Sequence, residues 1–412
     1  MRVCFVLGRL GPSGGVRSVL AHAERLAAAH DMHATLVVTD GPAAAGAAGS
    51  LEVIGLDDAR GREFDVAVAT WWRTVYSLFQ IPASRRAYFV QNFEERLYRP
   101  GDVERVGAAV TRDLPLAFVT EARWIAEELA DLRPDAHCFH VPNGIDKWLF
   151  DPPASPPERT PGPLRVLVEG SPQLWFKGVP DAVEVLNAMR EPRHATLVTP
   201  EPAAAAAVAA FDEVAGPLPH EEMPARYSAA DVLLKLSRVE GVFTPPLEAF
   251  HLGATAVVWP VSGHDEYVEH GVNGIVAGWD DIRGTARWLD LLASDEELLA
   301  RLRRGALETA RRWPSWEDAT ARMAAALEEI AAAPEPASGA GVPELLGDVH
   351  AGMEELRVEQ LRLLREVERQ SAEVAAERSG RELAEQRAAR LEQQLAATLR
   401  ARARRLLASR RR

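Results

Sequence analysis

The stretch RVCFVLGRLGPSGGVRSVLAHAERLAAAH, residues 2–30, holds one complete structural unit. It opens with an apolar run, RVCFVLG, that breaks into glycines. It continues with Val16, Val19, Leu20 and Leu26 on one side of a helical repeat. A short apolar run bounded by glycine reads as a buried strand, and the 3.6-residue period reads as a helix packed on it. The same unit recurs: ATLVVTD, DVAVAT, AYFVQ and LAFVT are strand candidates, and TEARWIAEELADL is a helix with Thr120 placed to cap it. HCFHVPNGID reads as a strand followed by a turn. Such alternation predicts a parallel sheet covered on both faces.

A proline-rich stretch, DPPASPPERTPGP at 151–163, breaks the pattern and reads as a linker. The alternation then resumes over 164–312. LRVLVEG, HATLVTP, DVLLKLS and ATAVVWP are strands, VPDAVEVLNAM and PPLEAFHLG are helices, and two further helices close the unit. The sequence thus predicts two α/β domains, 1–150 and 164–312, each a doubly wound parallel sheet. Residues 313–332, WPSWEDATARMAAALEEIAA, form a helix restarted by Pro314. A second linker covers 333–344.

Residues 345–412 are dominated by Glu, Arg, Leu, Ala and Gln. Leu346, Val349, Met353, Leu356, Leu363 and Val367 follow steps of three and four, weakened at Gln360 and Gln370. Gly380 interrupts this seam, and another resumes at Ala384, Ala388, Leu391 and Leu395. The spacing predicts a coiled coil joining copies of the chain; a single solvated helix is the alternative.

The bulk numbers narrow the function. A chain of 412 residues, 47% hydrophobic, is long enough for two or three domains. Its net charge of −13 argues against a nucleic-acid binder. Two cysteines give neither a disulfide framework nor zinc spacing, which points to a reducing compartment. The N-terminus reads as a buried strand rather than a signal peptide, and no apolar run is long enough to span a bilayer. The expectation is a cytoplasmic protein. The terminus RARARRLLASRRR, Arg400 to Arg412, is basic and could touch an anionic membrane at roughly 1 kcal/mol per residue; a solvated helix end is the alternative.

Two facing parallel sheets create a cleft at the carboxyl ends of their strands. Three motifs fit that cleft. GRLGPSGGVRSVL follows the first strand, where glycines and a helix start near Gly14 or Gly15 favour an anion; an ordinary strand-helix turn reads equally well. VEGSPQLWFKG puts Lys177 just before a helix, where it can neutralise a diphosphate. SRVEGVFTPPLEAF, residues 237–250, holds Glu240 and Glu248 eight positions apart. Thr244 can cap the helix that follows, and Pro245 and Pro246 suit its first turn. Gly241 allows close backbone approach. Glu248 lies among apolar neighbours, so it needs partners, and sugar hydroxyls can supply them.

Taken in order, these motifs resemble the family-4 retaining glycosyltransferases of the GT-B fold over about residues 1–332. The resemblance rests on GGVRSVL, VPNGID, Lys177-Gly178, the E-x7-E of Glu240 and Glu248, and the continuations LEAFHLGATAVVWPVSG and HGVNGIVAG. It implies two Rossmann-like domains, the first binding the acceptor and the second a nucleotide-sugar, with 313–332 crossing back to the first domain. It implies that Glu248 holds the ribose hydroxyls. Glu240 positions the transferred sugar. The backbone of Gly241, Val242, Phe243 and Thr244 lies against sugar and phosphate, Lys177 stabilises the departing diphosphate, and the Gly14-Gly15 loop approaches the donor or the acceptor. It implies no metal and no cofactor, and no Asp-x-Asp occurs. Retention would use the leaving phosphate to deprotonate the acceptor on the same face.

Two departures stand out. The family's arginine after the strand 164–169 is replaced by Glu169-Gly170-Ser171, for which Arg238 is a substitute candidate. E-G-F-G becomes Glu240-Gly241-Val242-Phe243, which puts a bulky side chain where the backbone should meet the sugar. YFVQNFEERLYRPGD, residues 88–102, resembles a stretch of bacterial polysaccharide rhamnosyltransferases and implies Gln91, Asn92 and Glu94 as acceptor-binding residues for a glycan or lipid-linked glycan. Ser262 can cap a helix that begins at His264, and His251 reads as structural. A nucleotide-sugar epimerase and a catalytically silent scaffold remain as alternative functions.

Overall fold

The computed structural model describes residues 1–11, 13–41, 48–159, 161–201, 209–334, 342, 346–349, 351–363, 365–367 and 369–371. The chain forms two compact units, Met1–Asp348 and Val349–Arg412. The basic stretch 400–412 and the second seam at 384–395 lie outside the described residues.

The first unit contains two parallel sheets. Seven strands form one: β1 (Arg2–Leu7), β2 (His33–Val38), β3 (Glu52–Gly55), β4 (Phe64–Ala69), β5 (Ala83–Val90), β6 (Ala117–Thr120) and β7 (Cys138–His140), in the spatial order 3-2-1-4-5-6-7. Six form the other: β8 (Leu164–Glu169), β9 (Arg193–Val198), β10 (Glu213–Ala215), β11 (Val232–Lys235), β12 (Thr255–Val258) and β13 (Gly274–Val276), in the order 10-9-8-11-12-13. Every neighbouring pair is parallel, with β1 against β4 and β8 against β11 at the points where the winding reverses. These are the two doubly wound parallel sheets that the alternation of runs predicts.

Residue alternation shows why the strands sit inside. Val3, Phe5 and Leu7 of β1 join one core cluster, while Cys4 and Val6 join the cluster on the other face. Both faces are apolar because helices cover both. In β11, Val232 and Leu234 enter one cluster and Leu233 the opposite one. Lys235 shares the face of Leu233 and is 1% exposed.

The helices follow the amphipathic segments: α1 (Gly14–Ala29), α2 (Leu56–Ala59), α3 (Trp72–Leu78), α4 (Val103–Val110), α5 (Arg123–Leu132), α6 (Val179–Ala188), α7 (Met223–Ala229), α8 (Thr244–His251), α9 (Ile282–Ser294), α10 (Glu296–Arg312) and α11 (Trp316–Ala332). Helix α11 starts after Pro314 with a Ser315/Asp318 capping box. Its Met323, Ala324, Leu327 and Ile330 lie in the same core cluster as Val3, Phe5 and Leu36. A helix encoded after the second domain thus completes the core of the first.

The caps expected for α5 and α8 are absent. Ala122, not Thr120, precedes α5, and no side chain caps it; Thr120 is the last residue of β6. Phe243, not Thr244, occupies the N-cap of α8 in a left-handed conformation, φ 53°. Thr244 is already helical.

The second unit is helical over 351–363. Within it Leu356, Leu363 and Val367 are exposed. None of the helices among the described residues is long and apolar enough to cross a membrane.

Candidate functional site

The site lies at the carboxyl ends of the second sheet. Lys177 closes a 3₁₀ turn after β8, and Gly178, at φ 67°, turns the chain into α6. Its ammonium donates to both oxygens of Glu240, at 2.9 and 3.2 Å. Burial works against the charge, but the Glu240 and Glu169 carboxylates more than offset it and raise the lysine pKa. Glu240 stands in the loop between β11 and α8, 9% exposed, and its carbonyl accepts from Ser262 Oγ at 3.1 Å. Ser262 therefore tethers this loop and does not cap the turn at His264–Glu266, whose N-cap is Gly263.

Glu248 lies in α8, 6% exposed. Tyr227 donates its hydroxyl to Glu248 Oε2 at 3.0 Å, and Arg17 of α1 stands 4.0 Å from Oε1. Burial pushes the Glu248 carboxyl up to about 7, with Arg17 and Tyr227 acting in the opposite direction. His251, one turn further along, turns its ring to the Leu247 carbonyl and is fully buried.

The loop 240–243 is pressed against the first domain. A Cβ on Gly241 would fall 2.0 Å from the Gln91 carbonyl oxygen, so only glycine fits. Trp124 of α5 donates Nε1–H to the Gly241 carbonyl at 2.9 Å. The Glu121 carboxyl also lies against this loop, 3.0 Å from a Cβ placed on Gly241, and its Oε2 accepts from Asn143 of VPNGID at 2.6 Å. Burial pushes Glu121 up to about 8. The Gly241 carbonyl, expected to lie against sugar and phosphate, thus accepts from Trp124 of the first domain. Phe243 departs from expectation too. Its left-handed backbone sends the ring into the core with Ile145, Phe150, Leu247 and Phe250.

The first-domain candidates divide. Gln91 donates Nε2–H to the Thr70 carbonyl, and its amide packs against Gly15. Gln91 Oε1 and Asn92 Oδ1 are buried and have no hydrogen-bond partner among the described residues. Among the described residues nothing stands within 4 Å of a Cβ placed on Gly14. Glu94 is a correction: it is turned inward, 8% exposed, and accepts from Trp72 N–H at 2.6 Å and the Tyr88 hydroxyl at 2.8 Å. Burial pushes its carboxyl up to about 8, and its bonds to Trp72 and Tyr88 tie it into the core of the first domain. Arg238, the substitute cation, is also committed elsewhere. It pairs with Asp181 at 2.9 Å and Asp280 at 2.7 Å and lies over Trp259.

Sequence reasoning missed four residues here: Arg17, Glu121, Tyr227 and Lys235. Only Lys235 carried a local signal, a charge inside the apolar run DVLLKLS.

Residues 208–309 match the family of glycosyl transferases group 1. No curated protein matches the chain. Among solved structures, the chain is similar to HepE of Anabaena, solved with UDP and glucose, at 15% identity over 80% of this chain and 100% of that one, with a TM-score of 0.64. Sucrose-phosphate synthase of Thermosynechococcus elongatus aligns at 15% identity over 81% and 100%, with a TM-score of 0.65. WaaG, a glycosyltransferase involved in lipopolysaccharide biosynthesis, aligns at 15% over 81% and 100%, with a TM-score of 0.61. The fold is therefore GT-B, and its second domain carries the group 1 glycosyltransferase match.

Proposed function

We propose that the protein is a retaining, metal-independent glycosyltransferase that moves a sugar from a nucleotide-sugar to a glycan or lipid-linked glycan. The observation that carries this reading is the convergence of Lys177, Glu240 and Glu248 at the carboxyl ends of the second sheet, beside the first domain. Glu248 accepts from the ribose hydroxyls, and Glu240 orients the transferred sugar. Lys177 draws off the charge that develops on the diphosphate as the anomeric C–O bond breaks. The acceptor oxygen bonds to the anomeric carbon on the face the diphosphate leaves, and its proton passes to a phosphate oxygen. Gln91 and Asn92 supply acceptors to the incoming hydroxyls. The UDP-bound and UDP-glucose-bound states of HepE, on the same fold, support the donor class.

A thermal-shift series with UDP-, dTDP-, GDP- and ADP-sugars tests the reading. A ligand of the folded state raises the melting temperature by mass action. One nucleotide class should stabilise the wild type and not Glu248→Ala. Stabilisation by none would favour the silent scaffold, in keeping with the engagement of the Gly241 carbonyl by the first domain. The exposed seam of Leu356, Leu363 and Val367 supports self-association. Light scattering should show a smaller assembly when all three become serine. Residues 400–412 would hold the enzyme at the inner face of a membrane. Salt-sensitive flotation with anionic liposomes, lost on deleting them, is the expected result.

A further inference from the structure

A diphosphate leaving group carries more than one negative charge, and Lys177 is already paired with Glu240. A second cation would strengthen the hold on it through charge-assisted hydrogen bonds. Arg238 is bound to two aspartates. Arg17, 44% exposed on the first domain, stands by Glu248, where the nucleoside would sit.

Lys235 is different. It ends β11, beside β8, where the winding of the second sheet reverses and ligands of such sheets bind. It is 1% exposed, on the face that carries Leu233 into the core. An ammonium there is costly, and an aliphatic residue would satisfy the packing better. Its Nζ donates to the Glu169 carbonyl at 2.7 Å and to Glu169 Oε2 at 2.6 Å. Among the described residues its hydrogen bonds go to Glu169 alone, which leaves the third N–H of the ammonium. Gly170 explains the arrangement. At φ +143° it excludes a side chain, and a Cβ there would lie 3.4 Å from Lys235 Nζ and 3.3 Å from Lys177 Cβ.

We propose that Lys235 is the second cation of the donor diphosphate subsite, delivered from the end of β11, with Glu169 as its counter-ion until the donor arrives. This rests on the glycosyl-transfer reading. Glu169 keeps 29% of its side chain exposed, so it can turn to solvent as phosphate oxygens take the ammonium.

Calorimetric titration of UDP, dTDP, GDP and ADP, each against its nucleoside, tests this in Lys235→Met, Glu169→Gln and the double variant. Losing a charge-assisted contact should weaken the best-bound nucleoside diphosphate by about tenfold or more in Lys235→Met and in the double variant, with the nucleoside changed by less than roughly twofold. Glu169→Gln alone should bind the diphosphate as tightly as the wild type or more tightly. If removing Lys235 orphans Glu169 and prevents folding, the double variant gives the readout, and Glu169→Gln stands as an independent one. Wild-type diphosphate affinity in the double variant, equal losses for diphosphate and nucleoside, or weakened diphosphate binding in Glu169→Gln would each overturn the proposal. If no nucleoside diphosphate binds the wild type, the glycosyl-transfer reading itself falls and takes this inference with it.

Discussion

Glu248→Gln keeps the shape of the side chain and removes its ionisation. In the native protein burial pushes this carboxyl from 4.5 up to about 7. At 1.36 kcal/mol per pH unit, that corresponds to about 3 kcal/mol. The folded state holds the proton more tightly than the unfolded chain does. Its contribution to stability is therefore complete below about pH 4.5 and is lost as the pH rises through about 7. Glutamine suffers no such loss. About 2 kcal/mol of that loss falls between pH 5.5 and 8.5, so with roughly 1–2 °C per kcal/mol for a unit of this size the variant should gain about 2–4 °C on the wild type across that range. Scanning calorimetry of both proteins across that range measures it. Nucleotide binding should move the other way, because ionised Glu248 accepts hydroxyl protons better than glutamine does. At pH 8 the variant should bind roughly tenfold more weakly or worse, and without the wild type's tightening through pH 7. A melting difference that stays flat with pH would refute the burial argument, and wild-type affinity at pH 8 would refute the ribose role.

Three further outcomes follow from the geometry. Lys177→Met should lower turnover by about a hundredfold or more, chiefly in kcat, since Lys177 acts on charge that develops as the bond breaks; a donor-hydrolysis or transfer assay reads it. Gly241→Ala forces a methyl group against the Gln91 carbonyl and should cost about 1–3 kcal/mol in urea unfolding. His22, bonded to Thr320 of α11 at 3.2 Å, is pushed down to about 3 by burial. Its contribution is present above about pH 6.5 and is lost as the pH falls toward 3, so His22→Gln should flatten the acid limb of the urea midpoint between pH 7 and 4.

Much of the molecule was legible in the chain. Apolar runs and helical spacing are local properties, and they specified the strands, most helices and the two-domain plan. The Glu240–Glu248 spacing survives folding because a short loop and one helical turn connect the two residues. Capping was less legible, since the backbone at 243 takes a left-handed turn that no residue type announces when the residue is phenylalanine. The orientation of Phe243 followed from that turn.

The tertiary structure alone decided which charges meet. Lys177 finds Glu240 across 63 positions, and Lys235 finds Glu169 across 66. Arg17 reaches Glu248 from the other domain. Glu94 reads as a loop acid in sequence and becomes a buried acceptor only when Trp72 and Tyr88 close on it. Periodicity reports which face of an element is buried. Ion pairing depends on which strand ends the sheet order makes adjacent, and that order is set by packing between segments far apart in the chain.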